Sequence, residues 1–347
     1  MPTTIADQAA IEAAARLLER GELVAFPTET VYGLGADAEN AAAVARIYAA
    51  KGRPSNHPVI VHLARDADIA YWAEQISDDA RKLIDAYWPG PLTLILKRAG
   101  HIPAAVSGGQ DSIGLRCPSH PVAQALLRAF KQGRGGIAAP SANKFGHVSP
   151  TTADHVRDEF GVGPESPVSC ILEGGQSEVG IESTILDLSR PARGPVLLRP
   201  GRIDAESIAR VLGVMPASPD ASAPRASGTL EAHYAPHTPV ALIAACDLAA
   251  TLQNLSLTGR RVALLDYSQQ SGANAFAGKI EARISLPPTP DGYAHGLYAA
   301  MRELDAAHAG LILIEAPPAE AAWRGVNDRL RRAAFDAAGV LEDLLKK

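Results

Sequence analysis

Several short stretches place small hydroxyls, glycines and cations at the ends of apolar runs. In FPTETVYGLG (26–35), Thr28, Glu29, Thr30 and Tyr32 stand beside Gly33 and Gly35. Hydroxyls at a strand end can hold an amino acid or a phosphate oxygen, and glycines admit close backbone approach. The same threonines would equally satisfy a local turn. In AKGRPSNHPVIVHL (50–63), Lys51 and Arg53 precede Pro54, and Pro58 opens a VIVHL strand. A turn held by two prolines immobilises its cations on an anion at lower entropic cost than a free loop. His62 alternates with the valines of that strand, a position as suited to a structural histidine as to a ligand-binding one. SIGLR (112–116) ends in Arg116, placed to project a guanidinium into a cleft and grip a carboxylate or phosphate bidentately. IAAPSANKFGHVSP (137–150) offers Ser141, Asn143, Gly146 and Ser149 as a phosphate nest. GIESTILDL (180–188) adds Glu182, Ser183 and Thr184, and LLRPG (197–201) adds Arg199.

Each stretch has an ordinary structural explanation, but their recurrence within the first 200 residues favours one shared pocket for anions. GxxxxGK[ST], GxSxG, HExxH and clustered Cys/His patterns are absent from the chain, which argues against a P-loop, a serine nucleophile elbow or zinc hydrolysis. Residue types and spacing therefore reach an α/β enzyme that handles a phosphorylated or carboxylated small molecule.

These groups need elements to position them. Residues 5–20, with Ile5, Ala9, Leu17 and Leu18, read as an amphipathic helix ended by Gly21. Strands are expected at 23–26, 59–63, 92–97, 113–116, 137–139, 168–172 and 181–188, with helices near 40–50, 76–86, 119–130 and 151–160. Several gaps between strands are too short for a helical crossover, so the sheet should be mixed and twisted. ASPDASAPRASG (217–228) has little apolar area to bury and reads as a linker. Beyond it the pattern restarts, with strands at 240–245, 262–265 and 311–315 and helices at 247–256, 291–308 and 326–338. The expected organisation is a catalytic domain over 1–212, a linker and active-site lid over 213–237, and a smaller Rossmann-like α/β domain over 238–347. The last lacks GxGxxG after its first strand and is given no dinucleotide site.

Of the 347 residues 47% are hydrophobic and 20% charged, an ordinary globular balance. The net charge of −5 and 5% aromatic content disfavour a broad nucleic-acid surface with stacking platforms. Cys117, Cys170 and Cys246 are far apart and form no CxxC pair, as expected in a reducing compartment. The N-terminal stretch does not read as a signal peptide, and no run of 18 apolar residues occurs.

Taken together, FPTETVYGLGADA, KGRP with IVHL, WPGPLTLIL (88–96), SIGLR followed by HP, APSAN with SP, GIEST, LRPG and HYAP (233–236) resemble the threonylcarbamoyl-AMP synthase family in its long two-domain form. The pieces occur in family order over most of residues 20–236, and NDRLRRAA (327–334) resembles the second domain. The resemblance implies a YrdC-like catalytic domain and a cytoplasmic nucleotidyltransferase. L-threonine, bicarbonate and ATP, bound with Mg2+, would give threonylcarbamoyl-AMP and pyrophosphate. A separate transferase complex would then pass the threonylcarbamoyl group to the adenosine beside the anticodon of ANN-reading tRNAs (t6A), without stable tRNA binding or a membrane partner for this chain.

Residue by residue, the resemblance implies threonine contacts at Thr30, His62, Arg116, Ala139 and Ser183. It implies ATP contacts at Arg53, His57, Ser112, Ser141, Ser149, Arg199 and Tyr234. Lys51, Arg53 and Arg116 are the expected catalytic cations, and His62 is a candidate aid in deprotonating the threonine ammonium. The metal ligands are left open. Two positions depart from the family: His57 stands where asparagine is more common, and ASGTLEAHYAP lacks the proline of the usual SPG linker end. A carbamoyl transferase on the same domain and an RNA-binding regulator are the rival readings. The first lacks an acylphosphatase-like or zinc-binding module here, and the second lacks a basic face.

Overall fold

The structure, a computed structural model, describes residues 5–257, 259, 261–268, 280–337 and 339–345. The chain divides into two compact units. The first comprises the residues up to Phe145 together with Ser149–Thr229, and the second Gly146–Val148 with the residues from Leu230 onward. The division at Thr229 falls inside the 213–237 stretch.

In the first unit, helix α1 (Gln8–Glu19) starts where the Asp7 carboxylate accepts the Ala10 N–H at 2.8 Å. Its buried stripe is Ile11, Ala14, Ala15 and Leu18. Ile5 lies ahead of the cap and is 61% exposed, and Ala9 faces solvent, so the apolar face differs from the one expected. The cap decides this, because only residues after Asp7 acquire helical spacing.

Strands β1 (Val24–Phe26) and β2 (Gly33–Asp37) flank the Thr28–Tyr32 segment, followed by α2 (Ala41–Lys51). Asn40 caps α2 through the N–H groups of Ala42 and Ala43, and Gly52, with φ of 64°, ends it. Lys51 is therefore the last helical residue, at the end where the helix dipole favours a cation, rather than part of a free turn. Then follow β3 (Ile60–Leu63), α3 (Ile69–Trp72), β4 (Ala73–Glu74), α4 (Asp78–Tyr87), β5 (Leu92–Arg98), β6 (Ser112–Arg116), α5 (Pro121–Ala129), β7 (Gly136–Ala138), α6 (Ala153–Phe160), β8 (Cys170–Ile171), β9 (Thr184–Asp187), β10 (Val196–Arg199) and α7 (Ala205–Leu212).

The ten strands form one sheet in the order β10-β9-β5-β6-β3-β7-β2-β1-β8, with β4 beside β5. Pairs β3–β6, β5–β9 and β1–β8 are parallel and the rest antiparallel, which is the mixed sheet expected. The two faces differ. Val61, Leu63, Leu94, Leu96, Ile113 and Leu115 enter the main core with Ile47 and Trp72. Ile60 and Ile95, between or beside them in sequence, point to the other face, where they pack with Ile185, Val196, Leu198, Ala223 and Ala226. That second face carries the polar residues considered below.

Strand β2 was not among the expected strands, because glycine is a poor strand former. Its glycines serve close packing instead. A Cβ at Gly35 would lie 2.8 Å from Ile137 Cγ2, 2.9 Å from Phe26 Cε1 and 3.1 Å from the Val24 carbonyl oxygen. Gly35→Ala should destabilise the chain by about 1–3 kcal/mol. An unchanged urea midpoint would contradict this packing.

The second unit contains β11 (Val240–Ile243), α8 (Ala245–Leu257), β12 (Val262–Asp266), β13 (Ile280–Ser285), α9 (Pro290–Ala306), β14 (Leu311–Glu315), α10 (Arg324–Ala333) and α11 (Val340–Leu345). Among the described residues its four strands are all parallel, in the order β11-β14-β12-β13. Strand β13 escapes sequence reading because its residues are half-buried or exposed. The α9 stripe of Tyr293, Leu297, Tyr298, Met301 and Leu304 is buried, as its spacing predicts. Among the described residues no helix is long and apolar enough to cross a membrane.

Candidate functional site

The second face of the first unit's sheet gathers most of the polar stretches singled out in the sequence. In-register pairing of parallel β3 and β6 sets His62 opposite Arg116. Thr28, Glu29 and Thr30 are buried just beyond β1. Thr28 Oγ1 donates to the Val31 carbonyl at 2.6 Å and lies 2.9 Å from Thr30 Oγ1, so the segment is both a satisfied turn and a row of inward hydroxyls. Arg116 Nη2 stands 2.7 Å from Glu29 Oε1. Thr93 and Ser183 hydroxyls meet at 2.8 Å where β5 runs beside β9. Ala139 donates its N–H to the Ile60 carbonyl at 2.9 Å, which brings the end of β7 onto the same strand.

The cations are held by backbone oxygens. Arg53 Nη2 donates to the Pro58 carbonyl at 2.7 Å and to Ser227 Oγ at 3.3 Å. Arg199 donates through Nε and Nη2 to the Ser183 carbonyl at 3.1 and 2.9 Å, and through Nη1 to the Ser227 carbonyl at 2.8 Å. Ser183, Arg199, Ser227 and Arg53 thus form one hydrogen-bonded chain. His57 packs its ring edge-on to Phe145 at 5.6 Å, and burial followed by the nearby Arg53 and Arg225 lowers its basicity. Ser112 opens β6, at the opposite end of that strand from Arg116, and is buried. Ser149 donates to Glu182 Oε1 at 2.6 Å.

Lys51 differs from the sequence expectation of a cation facing the ligand. Its Nζ donates to the Ser141 carbonyl at 2.6 Å and to the Asn143 carbonyl, so it ties down the APSAN loop. Burial first, and Arg53 next, push its amine well below the ordinary lysine range. The two carbonyls take two of its N–H donors.

His62 is also corrected as a proton acceptor. Burial, with Arg116 adding to it, lowers its pKa to about 3, so it is unprotonated at neutral pH and too weakly basic to take an ammonium proton. The unfolded chain binds a proton there at about pH 6.5. Stability should therefore fall as pH drops from about 6.5 towards 3, by up to roughly 1 kcal/mol per pH unit. Urea titrations of the wild type and His62→Gln between pH 6.5 and 4 check this; parallel slopes would contradict it.

The linker is not a free tether up to Thr229. Ala223 and Ala226 pack on Ile60, Ile95 and Ile185, and Ser227 Oγ donates to the Pro58 carbonyl at 2.8 Å. Arg225 reaches the carbonyls of Asn56 and Gly108 at 3.3 and 3.1 Å. Tyr234 belongs to the second unit, where its ring stacks on Tyr298 at 5.7 Å and under the Arg329 guanidinium at 5.4 Å. Its φ of 63° is unusual for a side chain of this size. A separate cleft of about 470 Å³, lined by Glu39, Asp68, Tyr71, Lys131, Gln132 and Arg134, contains none of the expected site residues.

Sequence reading gave no role to Thr93 or Ser227. Thr93 left a usable signal, a hydroxyl inside the apolar run LTLIL. Ser227 left none, because its partners Arg53, Pro58 and Arg199 are all remote in the chain.

A family model described as "Telomere recombination" matches residues 16–201, and one described as "Threonylcarbamoyl-AMP synthase, C-terminal domain" matches residues 203–335. The chain belongs to the threonylcarbamoyl-AMP synthase family. It is 34% identical over 335 residues to the threonylcarbamoyl-AMP synthase of Pyrococcus abyssi, covering 93% of this chain and 94% of that one. It is 37% identical to the Bacillus subtilis enzyme of the same name, covering 93% and 92%. The crystal structure of P. abyssi Sua5 complexed with L-threonine aligns at a TM-score of 0.85 with 33% identity, covering 95% of each chain. The activity is that of the family, formation of threonylcarbamoyl-AMP from L-threonine, bicarbonate and ATP, and the protein is a nucleotidyltransferase of t6A biosynthesis.

Proposed function

We propose that the second face of the first unit's sheet holds both substrates, threonine at the Arg116 end and ATP at the Arg53 end. The observation that carries this reading is the hydrogen-bonded chain from Ser183 through Arg199 and Ser227 to Arg53, which makes one continuous polar surface of the two ends. Thr30, His62, Arg116, Ala139 and Ser183 would contact threonine, the amino acid with which the Pyrococcus relative was crystallised. Arg53, His57, Ser112, Ser141, Ser149 and Arg199 would contact ATP. Lys51 takes a supporting role, holding the Ser141 and Asn143 carbonyls so that the loop's N–H groups face the phosphates.

Threonine carboxylate, its N-carboxylate and the triphosphate repel one another. Two unit charges 4 Å apart interact by roughly 4 kcal/mol at an effective dielectric near 20. Arg116 offsets this at the amino-acid end, and Arg53 and Arg199 at the nucleotide end. The N-carboxylate attacks the α-phosphorus and pyrophosphate leaves, a step that needs positioning and charge stabilisation rather than a protein nucleophile. Residues 223–227 cover the face and would keep water from the mixed anhydride.

Among the described residues no group of three or more His, Cys, Asp or Glu side chains is arranged to hold a metal ion. Mg2+ that arrives with ATP needs only one or two protein oxygens beside those of the phosphates. The buried Glu182 carboxylate beside Ser149 fits that need, and the ion would neutralise charge on the triphosphate. The reading puts the reaction in the cytoplasm, with the product handed to a tRNA threonylcarbamoyl-transferase complex and without stable tRNA binding by this chain.

The test is to incubate the purified chain with labelled bicarbonate, ATP and Mg2+, with and without L-threonine, and to identify the adenylate by mass. Labelled threonylcarbamoyl-AMP that forms only with threonine is expected. Carbamoyl-AMP formed in a parallel reaction with carbamoyl phosphate and ATP, with no threonylcarbamoyl-AMP from threonine and bicarbonate, would favour the rival transferase.

A further inference from the structure

We propose that Glu29 holds the amine end of the amino-acid substrate, so that Glu29 and Arg116 together form a dipolar receptor for a zwitterion. The inference rests on the threonine reading above and adds a residue to it.

Glu29 Oε1 and Arg116 Nη2 are 2.7 Å apart, and their side chains are only 3% and 5% exposed. Despite that distance, neither atom makes an aligned hydrogen bond. A buried ion pair recovers its desolvation cost only when its hydrogen bonds are well directed. This pair leaves much of that recovery unrealised, and a zwitterion bound across the pair would supply it: a carboxylate on the guanidinium, an ammonium on the carboxylate.

Both residues are anchored by other atoms, which holds the pair in place as a receptor. Glu29 Oε2 accepts the Ser119 N–H at 3.1 Å, and the Glu29 carbonyl accepts the Val179 N–H at 2.7 Å. Arg116 Nε points to the Gly90 carbonyl at 3.4 Å. Thr28 and Thr30 flank Glu29 with buried hydroxyls.

Charge supplies the second reason. An isolated Arg116 would attract any anion, including bicarbonate and the nucleotide phosphates. Paired with Glu29 its net charge is zero, which suits a neutral zwitterion and disfavours anions. The receptor also changes sign of preference along the reaction. Ammonium and bicarbonate combine to N-carboxylate with release of one water and one proton to solvent. The former ammonium end is then anionic, Glu29 repels it, and it turns towards the nucleotide.

The test compares L-threonine with 2,3-dihydroxybutanoate, in which a hydroxyl replaces the amine, by calorimetry on the full chain. The wild type should bind threonine at least about 10-fold more tightly than the hydroxy acid. Glu29→Gln should weaken threonine by about 10- to 100-fold and the hydroxy acid by less than about 3-fold, collapsing the preference. Unchanged ATP affinity serves as the measure of intact folding. Glu29→Asp, which keeps the charge, should retain part of the preference and stands in if the glutamine variant does not fold. A folded Glu29→Gln chain that keeps the wild-type preference, or a wild type with no preference, overturns the inference while leaving the threonine reading in place. A wild type that binds no threonine overturns both.

Discussion

Arg116→Ala is expected to weaken threonine binding by about 100- to 1,000-fold while changing ATP affinity by less than about 3-fold. Two losses combine. The substrate carboxylate loses its guanidinium, and Glu29 is left buried without a cation, which lies only 2.7 Å away in the wild type. Breaking a buried pair from one side typically costs 3–5 kcal/mol, so a drop of about that size in unfolding free energy should accompany the binding defect. Arg116→Lys should not restore affinity, because an ammonium cannot reproduce the planar fork that faces Glu29 on one side and substrate on the other. Calorimetry with each substrate and urea titration separate the effects. Equal losses for threonine and ATP would mean general misfolding, and unchanged threonine affinity would remove Arg116 from the site.

Arg199→Ala is the second large effect. Its guanidinium reaches the carbonyls of Ser183 and Ser227 and so ties two segments together. Alanine would leave buried carbonyl groups without these donors, each worth about 1–3 kcal/mol, and would release the 223–227 cover from β10. A loss of about 100-fold in kcat/KM for ATP is expected, together with faster proteolysis within residues 217–229. Activity near the wild-type value, with the linker as protected as before, would show that the cover does not depend on Arg199. The same variant distinguishes a covering role from simple tethering, since a mere tether would be indifferent to losing the Ser227 contact.

Much of the frame could be read from the chain. VIVHL is a branched apolar run and SIGLR ends one in an arginine, so β3 and β6 were legible as strands, and their Val61 and Leu115 lie in the core. The ends of strands were legible as polar positions because small hydroxyls and cations interrupt apolar runs. What could not be read was pairing. Glu29 and Arg116 lie on segments that meet only once the sheet is assembled, and nothing local announces that a glutamate between two threonines will face an arginine. Lys51 and Arg53 read as equivalent cations in one turn. The fold separates them, because the helix runs through Lys51 and points its amine at loop carbonyls. The linker's Ala, Ser and Pro content hides its docking, since Ala223 and Ala226 bury little area and Ser227 acts through hydrogen bonds to distant residues. Gly33–Asp37 was obscured for a different reason: close packing at Gly35 selects glycine against strand propensity.

The most direct measurement is a crystal structure of the full chain with L-threonine and a non-hydrolysable ATP analogue. The threonine carboxylate should lie on Arg116, its amine on Glu29, and the triphosphate beside Arg53 and Arg199, all on the sheet face covered by residues 223–227. Threonine and nucleotide bound on opposite faces of that sheet, or in separate cavities, would contradict the account.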